Sequence, residues 1–228
     1  MVTIGVFKAH IAKVRSVLRS VRLFERQVDN PKFDDVQASS MSRLTYREQY
    51  ETCLGGNHFH FLLKDRSFIQ FRRWVEDGEV LKLSYSYYEC PRITSTYEDF
   101  LYDNFQVRVE DVADDYHEEF EAFLATQPPK ETVTPIRYDY NVHDYNEGLH
   151  PASHIHIGHK SEVRMAVRKI LRPMSFLLLI LRQCYPRAWV HCLAQPGISG
   201  LCRDVRSTLE DLPTIYWKTK DEHQLFLA

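Results

Sequence analysis

The stretch Pro135–Arg168, PIRYDYNVHDYNEGLHPASHIHIGHKSEVRMAVR, decides the fold. Three short segments in it alternate apolar and polar residues with period two, the pattern of strands that turn one face to a core. They are Pro135–Tyr140, Ser153–Ile157 and Glu162–Arg168. In the first, Ile136, Tyr138 and Tyr140 share one face, and Arg137 and Asp139 take the other. In the second, Ile155 and Ile157 oppose His154 and His156. In the third, Val163, Met165 and Val167 oppose Arg164 and Arg168. A one-residue slip exchanges the two faces, so burying the apolar sets turns all the polar sets outward together. The three segments are expected to pair in one antiparallel sheet. Ile136, Tyr138, Ile155, Ile157, Met165 and Val167 would then pack under an apolar helix from about Pro173 to Cys184. Pro173 suits a first helical turn, and Pro186 ends the helix.

Upstream, His58–Leu63 reads as a strand, Asp65-Arg66 as a turn and Ser67–Val75 as a second strand. Asp77-Gly78 is a hairpin signal leading to a third, Val80–Tyr88. Residues 96–125 are acidic and helical in tendency, with Phe100, Val109, Val112, Phe120 and Phe123 as core candidates. Gln127-Pro128-Pro129 marks a lobe boundary near 127–132 within one domain spanning 1–228. Residues 31–41 read as a polar loop, and 43–54 as a short helix ended by Gly55-Gly56. Phe7, Ile11, Val14, Leu18 and Val21 follow helical spacing, so 5–27 reads as one amphipathic helix stopped by Asp29-Asn30-Pro31. Strands and helices without a βαβ rhythm argue for an α+β fold: an antiparallel sheet with the N-terminal amphipathic helix and the C-terminal helices packed on one face.

Several of these segments resemble a known family. Leu63-Lys64-Asp65-Arg66-Ser67-Phe68-Ile69-Gln70-Phe71 matches a pattern of leucine, acid, glycine, serine and glutamine-phenylalanine, with Arg66 standing at the glycine. Ile136–Tyr140, His150–His156 and Leu171-Arg172-Pro173 to Arg182–Pro186 follow in order. Over roughly residues 43–190 the chain resembles the uncharacterised prokaryotic family called domain of unknown function 2290. That resemblance implies a prokaryotic origin and an α+β fold. It carries no activity and so transfers no catalytic residue.

Composition narrows the class further. The chain has 228 residues, 44% of them apolar and 26% charged, with 13% aromatic, which suits a globular core and excludes collagen-like or largely disordered chains. The longest apolar run, Met174–Leu181, is far too short for a bilayer, which takes roughly 20 residues. The N-terminal residues carry no secretory signal pattern, so the expected location is cytoplasmic. Five cysteines without C-x-x-C spacing speak for reduced thiols over disulfides or a zinc ribbon. Net charge is −2, yet it is unevenly spread: ten acids lie within 97–122, and seven cations within 160–187.

The polar faces of the three strands gather the candidate catalytic residues Arg137, Asp139, His154, His156 and Arg164. Histidine moves protons, aspartate orients it, and arginine holds an anion such as phosphate. The plain alternative is an ordinary solvated sheet face. His150, His154, His156 and His159, with His58-Phe59-His60, repeat an H-x-H pattern able to pair imidazoles on a metal. No H-E-x-x-H or cysteine set supports it, so no metal is expected and the cofactor is unknown. On the N-terminal helix Lys8, Arg15, Arg19, Arg22 and Arg26 form a stripe about 27 Å long, fit for an anion or a nucleic-acid backbone. It could equally meet the acidic 97–122 segment of this or another copy. Walker, dinucleotide-binding and G-x-S-x-G motifs are absent from the sequence.

Two functions compete. One is a non-catalytic partner subunit of a defence or toxin–antitoxin system that binds a protein or nucleic acid. The other is a nuclease-like enzyme using the Arg/Asp/His cluster. The absence of known motifs leans toward the partner. A homo-oligomer is compatible with the charge blocks, and membrane docking is not expected. A catalytic cluster should converge in a concavity; a binding surface should be flat.

Overall fold

The computed structural model describes residues 4–32, 41, 43–76, 78–113, 115–160, 163–223 and 226–227. The expected 31–41 loop therefore falls largely outside the described residues. In chain order the elements are α1 (Ile4–Ser20), β1 (Phe24–Gln27), α2 (Tyr46–Gly55), β2 (Phe61–Leu63), β3 (Phe68–Glu76) and β4 (Glu79–Tyr88). Helices α3 (Tyr97–Phe105), α4 (Val109–Val112) and α5 (His117–Thr126) follow, then β5 (Ile136–Asn141), β6 (Ser153–Ile157), β7 (Met165–Val167) and β8 (Lys169–Ile170). The chain ends with α6 (Pro173–Cys184), α7 (Pro186–Ala194), α8 (Pro196–Ser207), β9 (Glu210–Asp211) and β10 (Phe226–Leu227). Among the described residues eight strands form one sheet in the order β1-β2-β3-β4-β5-β6-β7-β10, and β8 pairs with β9 apart from it. Neighbours are antiparallel except β10, which lies parallel to β7. The fold is α+β, as its patterning implies.

One face of the sheet carries the main core. Phe71 and Tyr85, with Tyr138 and Ile155, lie under Val14 and Leu18 of α1 and Phe176, Leu177 and Leu181 of α6. Phe71, Tyr85 and Phe176 meet edge to face, with ring centroids 5.2–6.1 Å apart. Each such ring contributes roughly 1.5–3 kcal/mol by leaving water. Helix α6 sits where Met174–Leu181 places it. The strand reading is corrected in part: Ile157 is 46% exposed and Val163 70%, while Met165 is half-buried. Of the expected Glu162–Arg168 strand, Met165–Val167 is observed, Val163 and Arg164 lie outside it, and Glu162 is not among the described residues.

The N-terminal helix is shorter than its periodicity predicts. It ends at Ser20 because Arg22 turns left-handed, with φ 59°. Leu23 N–H then reaches the Leu18 carbonyl at 2.9 Å, and Arg22 N–H the Arg19 carbonyl at 3.1 Å, the two bonds of a Schellman cap. An arginine in that conformation costs about 1–2 kcal/mol. Pairing of Phe24–Gln27 with β2 outweighs it. Val21 is buried either way, so apolar spacing alone does not tell helix from cap.

The opposite face is covered too. Tyr50 and Cys53 of α2 pack on Phe59, Leu62 and Phe68, with Cys90 behind them. Thr45 and Glu48 close a capping box that fixes where α2 starts. In the turn before β3, Asp65 accepts from Ser67 N–H at 3.0 Å and from the Tyr185 hydroxyl at 2.8 Å, and burial raises its pKa. The acidic helices build a satellite cluster around Phe100, Leu101, Phe120 and Leu124. Their ion pairs run to Lys64 and Arg66, at 3.0 Å each. The sheet itself is continuous across residues 127–132, since β4 pairs with β5. All five cysteines are free thiols. Among the described residues no helix is long and apolar enough to cross a membrane.

Burial also makes stability depend on pH. His60 is 8% exposed, its Nδ1 accepts from Phe71 N–H at 3.1 Å, and desolvation lowers its pKa from 6.5 to about 4. Below pH 6.5 the unfolded chain takes a proton that the folded chain refuses until about pH 4. Stability therefore falls as pH drops through that window, by at most about 1.4 kcal/mol per pH unit for this one group. Urea denaturation at pH 7, 6 and 5 should show that decline, and His60→Gln should make it shallower. An unchanged slope in the variant would rule His60 out as its source.

Candidate active site

Register across the sheet brings the candidate residues together. Ser84 pairs with Asp139 and Asp139 with His154; Ser86 pairs with Arg137 and Arg137 with His156. These two rows lie side by side on the face opposite the aromatic core. Arg137 Nε donates to Asp139 Oδ2 at 2.6 Å, and Ser84 Oγ donates to Oδ1 at 2.8 Å. His156 Nε2 stands 3.6 Å from Oδ2. His154 and His156 meet edge to face, with centroids 4.8 Å apart.

The face is covered over its histidines, which corrects the expectation of an exposed polar sheet surface there, while Arg137 keeps half of its side chain in solvent. His154 is 3% exposed and His156 5%. The 142–151 connection and the start of α2 cover what alternation alone leaves open. His154 Nδ1 lies 2.8 Å from the Pro151 carbonyl, and the His150 ring lies 5.0 Å from the His154 ring. Desolvation first, with the His156 and His150 imidazoles adding, lowers His154 to about 4, so its ring is neutral at pH 7. The connection is pinned from below. Asp221 accepts from the Tyr145 hydroxyl at 2.6 Å and from Gly148 N–H at 2.9 Å. Gly148 has φ 73°, and a Cβ there would come within 3.0 Å of Lys220 Cβ, so the close approach needs glycine.

At its edge the cluster opens into a cavity of about 240 Å³ lined by Arg137, His156, His159, Lys160 and Arg164 together with Tyr46 and Gln49 of α2. That volume holds several water-sized groups at about 30 Å³ each. Three cations and no carboxylate are found among its described lining residues. Gly158, at φ 94°, makes the turn after β6 that returns His159 and Lys160 over the face. The His159 ring packs edge-on to Tyr46 at 5.5 Å, burial lowers its pKa, and its buried Nε2 has no hydrogen-bond partner. Arg137, Asp139, His154, His156 and Arg164 thus share one region. The N-terminal cations do not join it. Lys8, Arg15 and Arg19 lie on α1, Arg22 sits in its cap and Arg26 on β1, so the continuous helical stripe is broken. All five are exposed. Lys8 and Arg15 line a separate cavity of about 620 Å³ with Arg72, Arg73 and Trp74.

Sequence reading missed Ser84, Tyr46, Gln49 and Lys160, and named His159 only within the histidine cluster. Ser84 and Ser86 had a usable signal, since they alternate with Leu83, Tyr85 and Tyr87. Tyr46 and Gln49 had none, because only tertiary packing lays α2 across this face.

A protein-family model described as "Uncharacterized conserved protein (DUF2290)" matches residues 15–225. Searches of curated proteins and of solved structures find no match.

His154 is buried and bonded while Arg137 is half-exposed, so the two should differ in folding cost. His154→Ala leaves the Pro151 carbonyl without its partner and should lose about 1–3 kcal/mol of unfolding free energy. Arg137→Ala should lose less, about 1 kcal/mol, because half of its side chain is in solvent and Asp139 keeps its bond from Ser84. Chemical denaturation of both variants checks this; equal losses would mean His154 is not held as described.

Proposed function

The chain belongs to the DUF2290 family of uncharacterized conserved proteins, and from its own geometry we propose that it is a hydrolase of phosphodiester bonds in nucleic acid. The observation that carries this is convergence: the Arg137/Lys160/Arg164 pocket meets the Asp139, His154 and His156 cluster at His156 and Arg137. Cations at close range hold a phosphoryl group and stabilise charge that grows on its oxygens. The adjoining cluster activates water. Water oxygen bonds to phosphorus, the P–O ester bond breaks, the water proton leaves, and the departing oxygen gains a proton.

A longer anion suits the site better than a small phosphate ester. Arg72 lies in the Ser84–Asp139–His154 row, two strands from Asp139 and roughly 10 Å away at ordinary strand spacing. Arg72 also lines the cavity of Lys8 and Arg15. Arg72 thereby adds a cation on the same face for a second stretch of phosphate backbone, while the α1 cations lie on the helix that covers the opposite face.

A second reading, a non-catalytic subunit of a defence or toxin–antitoxin assembly, is favoured by one observation. A largely apolar cleft of about 900 Å³ runs between Ile155 and Ile157 of the sheet and Leu178, Trp189 and Val205 of the helices. α7 also leaves Val190 and Leu193 exposed.

Fluorescence anisotropy with short single-stranded and duplex oligonucleotides, run from 50 to 300 mM salt, separates the readings. Binding should weaken steeply with salt, and Lys160→Ala and Arg164→Ala should each weaken it roughly tenfold, the worth of one charge-assisted contact. Wild-type protein should cleave the oligonucleotide, and both variants should cleave it more slowly. Neither binding nor cleavage at 50 mM salt would overturn the hydrolase and leave the partner reading.

A further inference from the structure

Asp139, His154 and His156 each present one ligand atom, and the three atoms lie within 4.8 Å of one another. They stand on two directly paired strands, so the sheet holds their spacing. His156 Nε2 and Asp139 Oδ2, at 3.6 Å, are close to the roughly 3.4 Å that separates two ligands each about 2.0–2.1 Å from one tetrahedral ion. The surrounding contacts are those a metal centre needs. With the His154 Nδ1 taken by the Pro151 carbonyl, Nε2 is the nitrogen left with a lone pair. Ser84 and Arg137 orient the Asp139 carboxylate, which keeps lone pairs to spare. Beside the cluster the buried Nδ1 of His150 has no hydrogen-bond partner. An ion pair with Arg137 accounts for the position of Asp139. It does not account for two buried imidazoles packed against each other next to that carboxylate.

We propose that Asp139, His154 and His156 bind one divalent transition-metal ion of the zinc class, with its remaining coordination positions open toward the basic pocket. Two imidazoles and one carboxylate form the donor set of catalytic zinc and related sites. The existence of the site does not depend on the phosphodiester reading; its role does. There the ion lowers the pKa of a bound water toward 7, and the resulting hydroxide attacks phosphorus. The water proton passes to solvent, the ester P–O bond breaks, and the leaving oxygen takes a proton from water. No electron is transferred.

Co²⁺ is the probe, because its visible absorption reports ligand geometry. Purified chain, stripped with chelator and titrated with Co²⁺, should take up one equivalent and develop d–d bands, which Zn²⁺ should displace. Asp139→Asn, nearly the same shape, and His156→Gln should each weaken binding at least tenfold, with circular dichroism confirming that both variants are folded. X-ray absorption of the zinc-loaded wild-type protein needs no variant to fold. It should show two imidazoles and an oxygen at about 2.0–2.1 Å. Sulfur ligands, no stoichiometric uptake, or uptake unchanged in both variants would overturn the metal site. One equivalent bound by the expected ligands, with no oligonucleotide binding or cleavage, would overturn the hydrolase and leave the metal site standing. Oligonucleotide cleavage undiminished in chelator would overturn the ion's role in the reaction, while the uptake measurements alone decide the site.

Discussion

Register along β4, β5 and β6 is the constraint on which everything else in this chain depends. It seats Tyr85, Tyr138 and Ile155 in the aromatic core and, by the same alternation, lines up Ser84, Asp139 and His154 on the other side. A slip of one residue at β5 would push Arg137 and Asp139 among Phe71, Tyr85 and Phe176, where charges without partners cost far more than packing returns. Tyr138 locks the arrangement further. Its hydroxyl oxygen accepts from Leu171 N–H at 3.0 Å and lies 3.0 Å from Ser153 Oγ, tying β5 to β6 and to the start of α6. Core and candidate site are therefore two faces of one pairing decision.

Covering the second face changes the chemistry of the residues on it. Helix α2, set by its Thr45–Glu48 box, brings Tyr46 and Gln49 over the sheet, and Asp221 ties down the connection that carries His150 and Pro151. Burial alone would raise the pKa of Asp221, but the bonds from Tyr145, Lys218 N–H and Gly148 N–H outweigh it and hold the carboxylate charged. Under this cover His154 is neutral and the Asp139 carboxylate is fixed by two donors. On an open sheet the same side chains would be solvated and mobile, with little reason to hold one geometry.

The charge blocks divide in a way that supports the same picture. The acidic helices α3 and α5 spend ion pairs on Lys64 and Arg66 near their own satellite cluster. The cations after β6, Lys160 and Arg164, turn instead to the pocket beside His156. One end of the sheet surface is thus neutralised internally, and at another these cations line a pocket beside a partly buried carboxylate and two imidazoles.

The sequence by itself determined the strands Ile136–Asn141 and Ser153–Ile157, the meander before them, helix α6, and the grouping of Arg137, Asp139, His154, His156 and Arg164. Period-two and helical alternation are local properties, written residue by residue and readable without a partner. The end of α1 at Ser20 was not legible, because a Schellman cap and a further helical turn bury Val21 alike. Only tertiary structure decided that the polar face is covered, that α2 and the His159-Lys160 turn complete the pocket, and that Arg22 and Arg26 leave the basic helix. Each of these depends on which distant segment packs where, and alternation carries no information about what lies above a strand.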